Sequence, residues 1–299
     1  MTSHFATLGG QRFHYLAWGP SDAPVMLLLH GFPEYSGAWA DLVPHLSGRY
    51  RCIAPDQRGY GQSWAPPEVS AYGAGALVGD MCALLDHVAP GQAVTVVGHD
   101  WGAAVAYALA IREPSRVARL IVLNGVHPAP FQRALAAGGA QSQASQYIEA
   151  LRTDGSEERL AENDFEGLMR LFSAHMDLSW MTPEKTAAYK AEWARPGRLR
   201  GMINWYRASP LRVAKPGEPI TDLPEMPPEK LRVTMPHLLI WGDKDTALLP
   251  ESLEHLESYA PHLTVKHIPD ADHWICHQQP RKVAALINDW MRYEADQPS

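Results

Sequence analysis

The chain has 299 residues, 46% of them hydrophobic and 20% charged, with a formal net charge of −7. That is the balance of a soluble globular protein, either one large domain or a core with a second one inserted. The negative charge gives no electrostatic basis for a nucleic-acid or anionic-membrane partner, and the longest aliphatic run near a strand, Val25 to Leu29, is too short to span a bilayer. The first third reads as strands, Arg12 to Trp18, Val25 to His30 and Arg51 to Pro55. Two polar turns follow the second and third of these, His30-Gly31-Phe32-Pro33-Glu34 and Asp56-Gln57-Arg58-Gly59-Tyr60-Gly61-Gln62-Ser63. Leu77, Met81, Leu84, Leu85 and Val88 recur at helical spacing. A β-branched run from Val94 then enters Gly98-His99-Asp100-Trp101-Gly102 and a small-residue helix, and a further strand covers Arg119 to Asn124.

After Val126 the pattern changes to helix signals alone, over residues 130–228. Thr182-Pro183-Glu184 is a helix start, with a capping hydroxyl, proline at the first position and an acid in the first turn. Leu168, Leu171 and Phe172 suggest a buried helical face, and the proline-rich run from Lys215 to Pro228 reads as a linker. Alternation resumes with a strand Leu238 to Trp241, a helix near Leu249 to Tyr259, a strand Leu263 to Ile268 and a helix after Pro280. In that last helix Val283, Leu286, Ile287, Trp290 and Met291 form one apolar stripe, which is core. Strands alternating with helices predict a mostly parallel sheet with helices on both faces. The expected division is an α/β core over 1–129 and 229–299, interrupted by an all-helical unit over 130–228.

Three scattered cysteines, Cys52, Cys82 and Cys276, have no Cys-x-x-Cys spacing and read as reduced thiols. With no basic and apolar leader in Met1 to Phe5, they predict a cytoplasmic protein. No histidine–cysteine group has zinc-like spacing, so no metal and no cofactor is called for.

Strand, sharp turn and helix around Gly98-x-Asp100-x-Gly102 form the context of a nucleophile elbow, with an aspartate where serine is usual. A side chain at either glycine would collide with the neighbouring strand or helix. A carboxylate is ionised at neutral pH and needs no base to become a nucleophile. Its attack on saturated carbon yields an ester that water can cleave, whereas serine would form an inert ether. Aspartate at this place therefore points to opening of epoxides or displacement of halide. In open parallel sheets, functional groups gather at the carboxyl ends of strands. There stand Gly242-Asp243-Lys244-Asp245 and, after the last strand, Asp270-Ala271-Asp272-His273-Trp274. His273 would activate water, oriented by an acid. Asp245 is preferred over Asp243, which sits nearer its strand; Asn124-Gly125-Val126 offers no carboxylate.

These motifs, together with Asn204-Trp205-Tyr206-Arg207, span essentially the whole chain. It resembles an α/β-hydrolase of the epoxide hydrolase and haloalkane dehalogenase branch, most of all the soluble epoxide hydrolases. The resemblance implies an eight-stranded, mostly parallel sheet with a helical cap, or lid, and an ether-bond hydrolase taking a small apolar epoxide and water. It implies an oxyanion hole from the Phe32 and Trp101 amides, a cis peptide before Pro33, and two lid tyrosines donating to the epoxide oxygen. Tyr206 matches one lid motif, and Tyr147, within Ser145-Gln146-Tyr147-Ile148, the other. A haloalkane dehalogenase would want a side-chain donor such as asparagine at Phe32, and a fluoroacetate dehalogenase arginines at Trp101 and Ala104. An idle ligand-binding scaffold is the alternative of another class. Substrate identity and oligomeric state, a homodimer included, stay open.

Overall fold

The computed structural model describes residues 1–46, 48–174 and 176–295. Eight strands build one sheet: β1 (Thr2–Leu8), β2 (Gln11–Trp18), β3 (Val25–Leu29), β4 (Arg51–Pro55), β5 (Val94–His99), β6 (Val117–Leu123), β7 (His237–Gly242) and β8 (Leu263–Ile268). Their order is β1-β2-β4-β3-β5-β6-β7-β8. β1 pairs antiparallel with β2, and β2 with β4. Every pairing from β4 to β8 is parallel. β3, β5 and β7 are buried at every residue, as expected of strands covered by helices on both faces.

β1 is not among the strands read from the sequence. It is an edge strand with only Ala6 and Leu8 buried, so its apolar alternation is faint. Gly9 and Gly10, with φ of 54° and 82°, turn the chain back into β2. The helix expected near Leu249 to Tyr259 is absent. Two short 3₁₀ turns, Pro250–Leu253 and Leu256–Ser258, stand there instead. His255, between them with φ 63°, breaks the helical path.

Helices α1 (Ala74–Val88) and α2 (Trp101–Arg112) pack on one face of the sheet, through Leu77, Met81, Leu85, Val105 and Leu109. Between β6 and β7 the chain runs through α3 (Pro128–Ala136), α4 (Ala140–Ala144), α5 (Gln146–Arg152), α6 (Ser156–Ser173), α7 (Pro183–Trp193) and α8 (Arg198–Ala208). Asn163, Asp164 and Phe165, all at positive φ, break α6 into two pieces. Thr182 caps α7, its hydroxyl accepting from the Lys185 N–H. Leu168 and Phe172 of α6 are buried. Among the described residues this stretch adds no strand to the sheet. Helices α9 (Ile275–Gln278) and α10 (Pro280–Ala295) close the chain. Val283, Ile287 and Trp290 of α10 are buried against the opposite sheet face with Trp39 and Leu42, and Leu286 and Met291 pack partly buried beside them. Among the described residues no helix is long and apolar enough to cross a membrane.

Candidate active site

The turn from β5 into α2 carries Asp100 at φ 50° and ψ −122°, a conformation that L-residues adopt only under strain. Its flanking glycines are required by close approach. A Cβ on Gly98 would stand 2.6 Å from the Ala103 Cα, and one on Gly102 would strike the Leu29 carbonyl. The strained turn lifts the Asp100 carboxylate above the carboxyl ends of the parallel strands. The Phe32 amide, in the turn after β3, donates to Asp100 Oδ1 at 2.7 Å. The Phe32–Pro33 peptide is cis. The Trp101 amide stands at the first position of α2, where helical N–H groups have no intrahelical partner.

His273 lies over the same carboxylate, its Nε2 3.6 Å from Asp100 Oδ2. Its Nδ1 is 2.8 Å from Asp245 Oδ2. Asp245 Oδ1 accepts from the Ala247 and Leu248 amides at 2.8 and 2.9 Å. Asp243 faces away, paired with His267 at 2.7 Å in a solvent-exposed contact. Asn124, at the end of β6, donates from Nδ2 to Asp245 Oδ2 at 2.8 Å and accepts the Gly242 amide on Oδ1 at 2.8 Å. Asn124 has no carboxylate of its own, yet its amide holds the one that meets His273.

Burial disfavours charge on both partners, and the pairing outweighs it. Burial alone would raise Asp245, but His273, the Leu248 amide and Asn124 hold its carboxyl below the ordinary value. Burial alone would lower His273, but Asp245 and Asp100 push the ring well above the usual histidine range. The Asp100 part of that push disappears whenever its carboxylate is neutralised.

Tyr147 of α5 and Tyr206 of α8 stand opposite, their rings 6.2 Å apart. Tyr206 meets Phe32 and Trp101 edge-on, at 5.1 and 5.0 Å. Burial raises the pKa of both phenols, and the Asp100 charge adds to it, so both stay protonated hydrogen-bond donors. Asp100, Tyr147 and Tyr206 all line one cavity of about 410 Å³, whose walls include Leu77, Val105, Ile148, Trp205 and Leu248. That size and apolar character suit a small organic molecule gripped by a few polar groups.

Beneath this layer lies a second buried cluster that the sequence does not announce. Glu34 accepts from Tyr189 Oη at 2.9 Å and from His277 Nε2 at 2.8 Å, and its Oε2 lies 3.1 Å from His99 Nδ1. His99 Nε2 donates to the His273 carbonyl at 2.8 Å. Glu34 was visible only as the last residue of a motif, because its partners lie 65 to 243 positions away.

The chain has relatives of known family and fold. The family described as alpha/beta hydrolase fold matches residues 24–280. The AB hydrolase superfamily protein YfhM of Bacillus subtilis is 34% identical over 96% of this chain and 97% of its own. Epoxide hydrolase 4 of Homo sapiens is 33% identical over 95% of this chain and 77% of its own. Among solved structures, one from a set of epoxide hydrolases found in metagenomes of hot environments superimposes with a TM-score of 0.88 at 37% identity, covering 97% of this chain and 98% of that one. The Bacillus megaterium epoxide hydrolase bound to an inhibitor gives 0.84 at 28% identity, covering 97% and 100%.

Proposed function

The chain belongs to the α/β hydrolase fold family and is epoxide hydrolase-like within it; from that premise we propose that it opens epoxides to vicinal diols through a covalent ester on Asp100. The single observation that carries the reading is the arrangement around that carboxylate. One oxygen takes the Phe32 amide, the other faces His273, and two buried phenols stand across an apolar cavity. Residues 130–228 act in this reading as the cap that brings the phenols over the core formed by 1–129 and 229–299.

The epoxide oxygen sits between the Tyr147 and Tyr206 hydroxyls. Asp100 Oδ2 attacks a ring carbon, the C–O bond opens, and a phenol gives its proton to the departing oxygen. Ester formation removes the Asp100 charge, so His273 loses part of what kept it protonated. Its proton goes to the phenolate, leaving a neutral ring oriented by Asp245. The ring then takes a proton from water, whose oxygen attacks the Asp100 carboxyl carbon. The Phe32 and Trp101 amides hold the tetrahedral oxyanion, with the partial positive charge of the α2 N-terminus behind the second. Collapse of that intermediate breaks the ester C–O bond, and the departing oxygen takes the proton of the new carboxyl group. This leaves diol, an ionised Asp100 and the His273 already charged by water's proton; the net change is one water added to one epoxide.

Phe32 gives Asp100 an amide hydrogen bond and has no side-chain donor, which weighs against halide displacement. The test is to incubate the protein with styrene oxide and with a panel of haloalkanes. Diol from the first, abolished by Asp100→Asn, is expected. Halide release without diol would overturn the reading.

A further inference from the structure

His277, one turn after His273 in the chain, is buried and meets a carboxylate at each ring nitrogen. Nε2 lies 2.8 Å from Glu34 Oε1, and Nδ1 2.9 Å from Asp41 Oδ2. Two ionised acceptors on one imidazole require a hydrogen on both nitrogens. His30 makes the contrast. Its Nδ1 donates to the Gly31 carbonyl while its Nε2 accepts the Gln57 amide, so one hydrogen suffices. Trp180 lies flat on His277, ring centroids 3.8 Å apart and planes within 5°, the geometry in which an indole face holds a cation.

Among the described residues, one helix and its lead-in supply a ring stacked on this imidazole and donors to both of its carboxylate partners. Trp180 stacks on the ring, Lys185 pairs with Asp41 at 2.5 Å, and Tyr189 donates to Glu34. Trp193, at the end of the same helix, donates to the Pro33 carbonyl at 2.7 Å. The core side supplies Glu34, Asp41, His99 and the neighbouring Cys276. Glu34 follows Pro33, which follows the Phe32 amide that contacts Asp100.

We infer that His277 is a positioning residue: doubly hydrogen-bonded between Glu34 and Asp41 under Trp180, it locks α7 to the loop bearing the Phe32 amide and, through His99, to the main chain of His273. The inference rests on the epoxide-opening reading and adds to it a residue that touches no substrate. It places the effect in the second half of the reaction, where the Phe32 amide must hold the oxyanion. The direction of the pKa shift agrees: burial would lower His277, but Asp41 and Glu34 raise it.

The test combines nitrogen-15 NMR of the histidine rings with single-turnover kinetics on the whole protein. The His277 signals, assigned by their loss in His277→Gln, are expected at imidazolium positions at neutral pH. His277→Gln is expected to slow ester hydrolysis by about 10²-fold, the scale of losing one oxyanion donor, with a smaller effect on ester formation. Should that variant not fold, Asp41→Asn serves, since it keeps the shape and removes one charge. There the His277 titration is expected to move to lower pH, carrying the alkaline limb of kcat with it. A neutral His277 at pH 7, or a kcat profile that stays put while the His277 titration moves, overturns the inference. The ring signals are read on ligand-free protein, so failure of the epoxide reading shows separately, as absent diol with His277 still charged.

Discussion

Asp100 is the residue on which the proposed chemistry depends, and its charge also acts on its neighbour. Because Asp245 and Asp100 together raise the His273 ring, Asp100→Asn is expected to lower the His273 pKa. An NMR titration of the ring checks this, and an unchanged midpoint contradicts it. His273→Gln is expected to trap the ester and cut diol turnover by about 10²- to 10⁴-fold, the range for losing a general base. Mass spectrometry of the Asp100 peptide after mixing with substrate reads the adduct, and near-normal turnover contradicts the assigned role. At this scale much was legible: Asp100, Asp245 and His273 each follow a strand and sit in short polar turns between apolar runs. Asn124 was not, because its amide acts through Asp245, 121 positions away in the chain. The Glu34, His99 and His277 cluster was not, because only the folded sheet brings those positions together.

Among the elements, α8 carries Tyr206 and meets the core at a glycine pair. A Cβ on Gly201 would stand 2.8 Å from the Gly59 Cα, and one on Gly59 would stand 2.9 Å from the Gly201 carbonyl carbon. Gly201→Ala is therefore expected to push α8 away, costing about 1–3 kcal/mol as an overpacked contact does. Tyr206 moves with it, so ester formation slows more than ester hydrolysis. Thermal unfolding and single-turnover kinetics check both parts, and a variant with unchanged stability and alkylation rate contradicts the contact's importance. The buried strands were readable because apolar runs bounded by turns admit few alternatives. β4 and β8 have the bounds that the pattern suggests. The run 249–259 misled because its apolar spacing says nothing about the backbone reversal at His255.

Across the whole molecule, buried histidines set the pH range of stability. His127 and His237 are lowered by burial, to about 4 and about 3. A histidine held neutral in the fold binds fewer protons than in the unfolded chain, so its contribution is present above about 6.5 and declines as the pH falls below it. Tm is expected to drop between pH 7 and pH 5, and more shallowly in His237→Gln; an equal slope in the two proteins contradicts this account. His277 has the opposite sign. Its folded value is raised, so its contribution is complete below about 6.5 and is lost as the pH rises through that raised value. Burial would raise Glu34, but His277 and His99 hold it well below the ordinary carboxyl value, so its contribution is complete above about 4.3 and is lost as the pH falls through that lowered value. In the proposed mechanism the central event is the temporary esterification of one carboxylate, that of Asp100. The measurement that reaches it most directly is a single turnover of excess enzyme in water enriched in oxygen-18. The account predicts label in the Asp100 carboxyl group and an unlabelled diol. Label in the diol with none in Asp100 would contradict it.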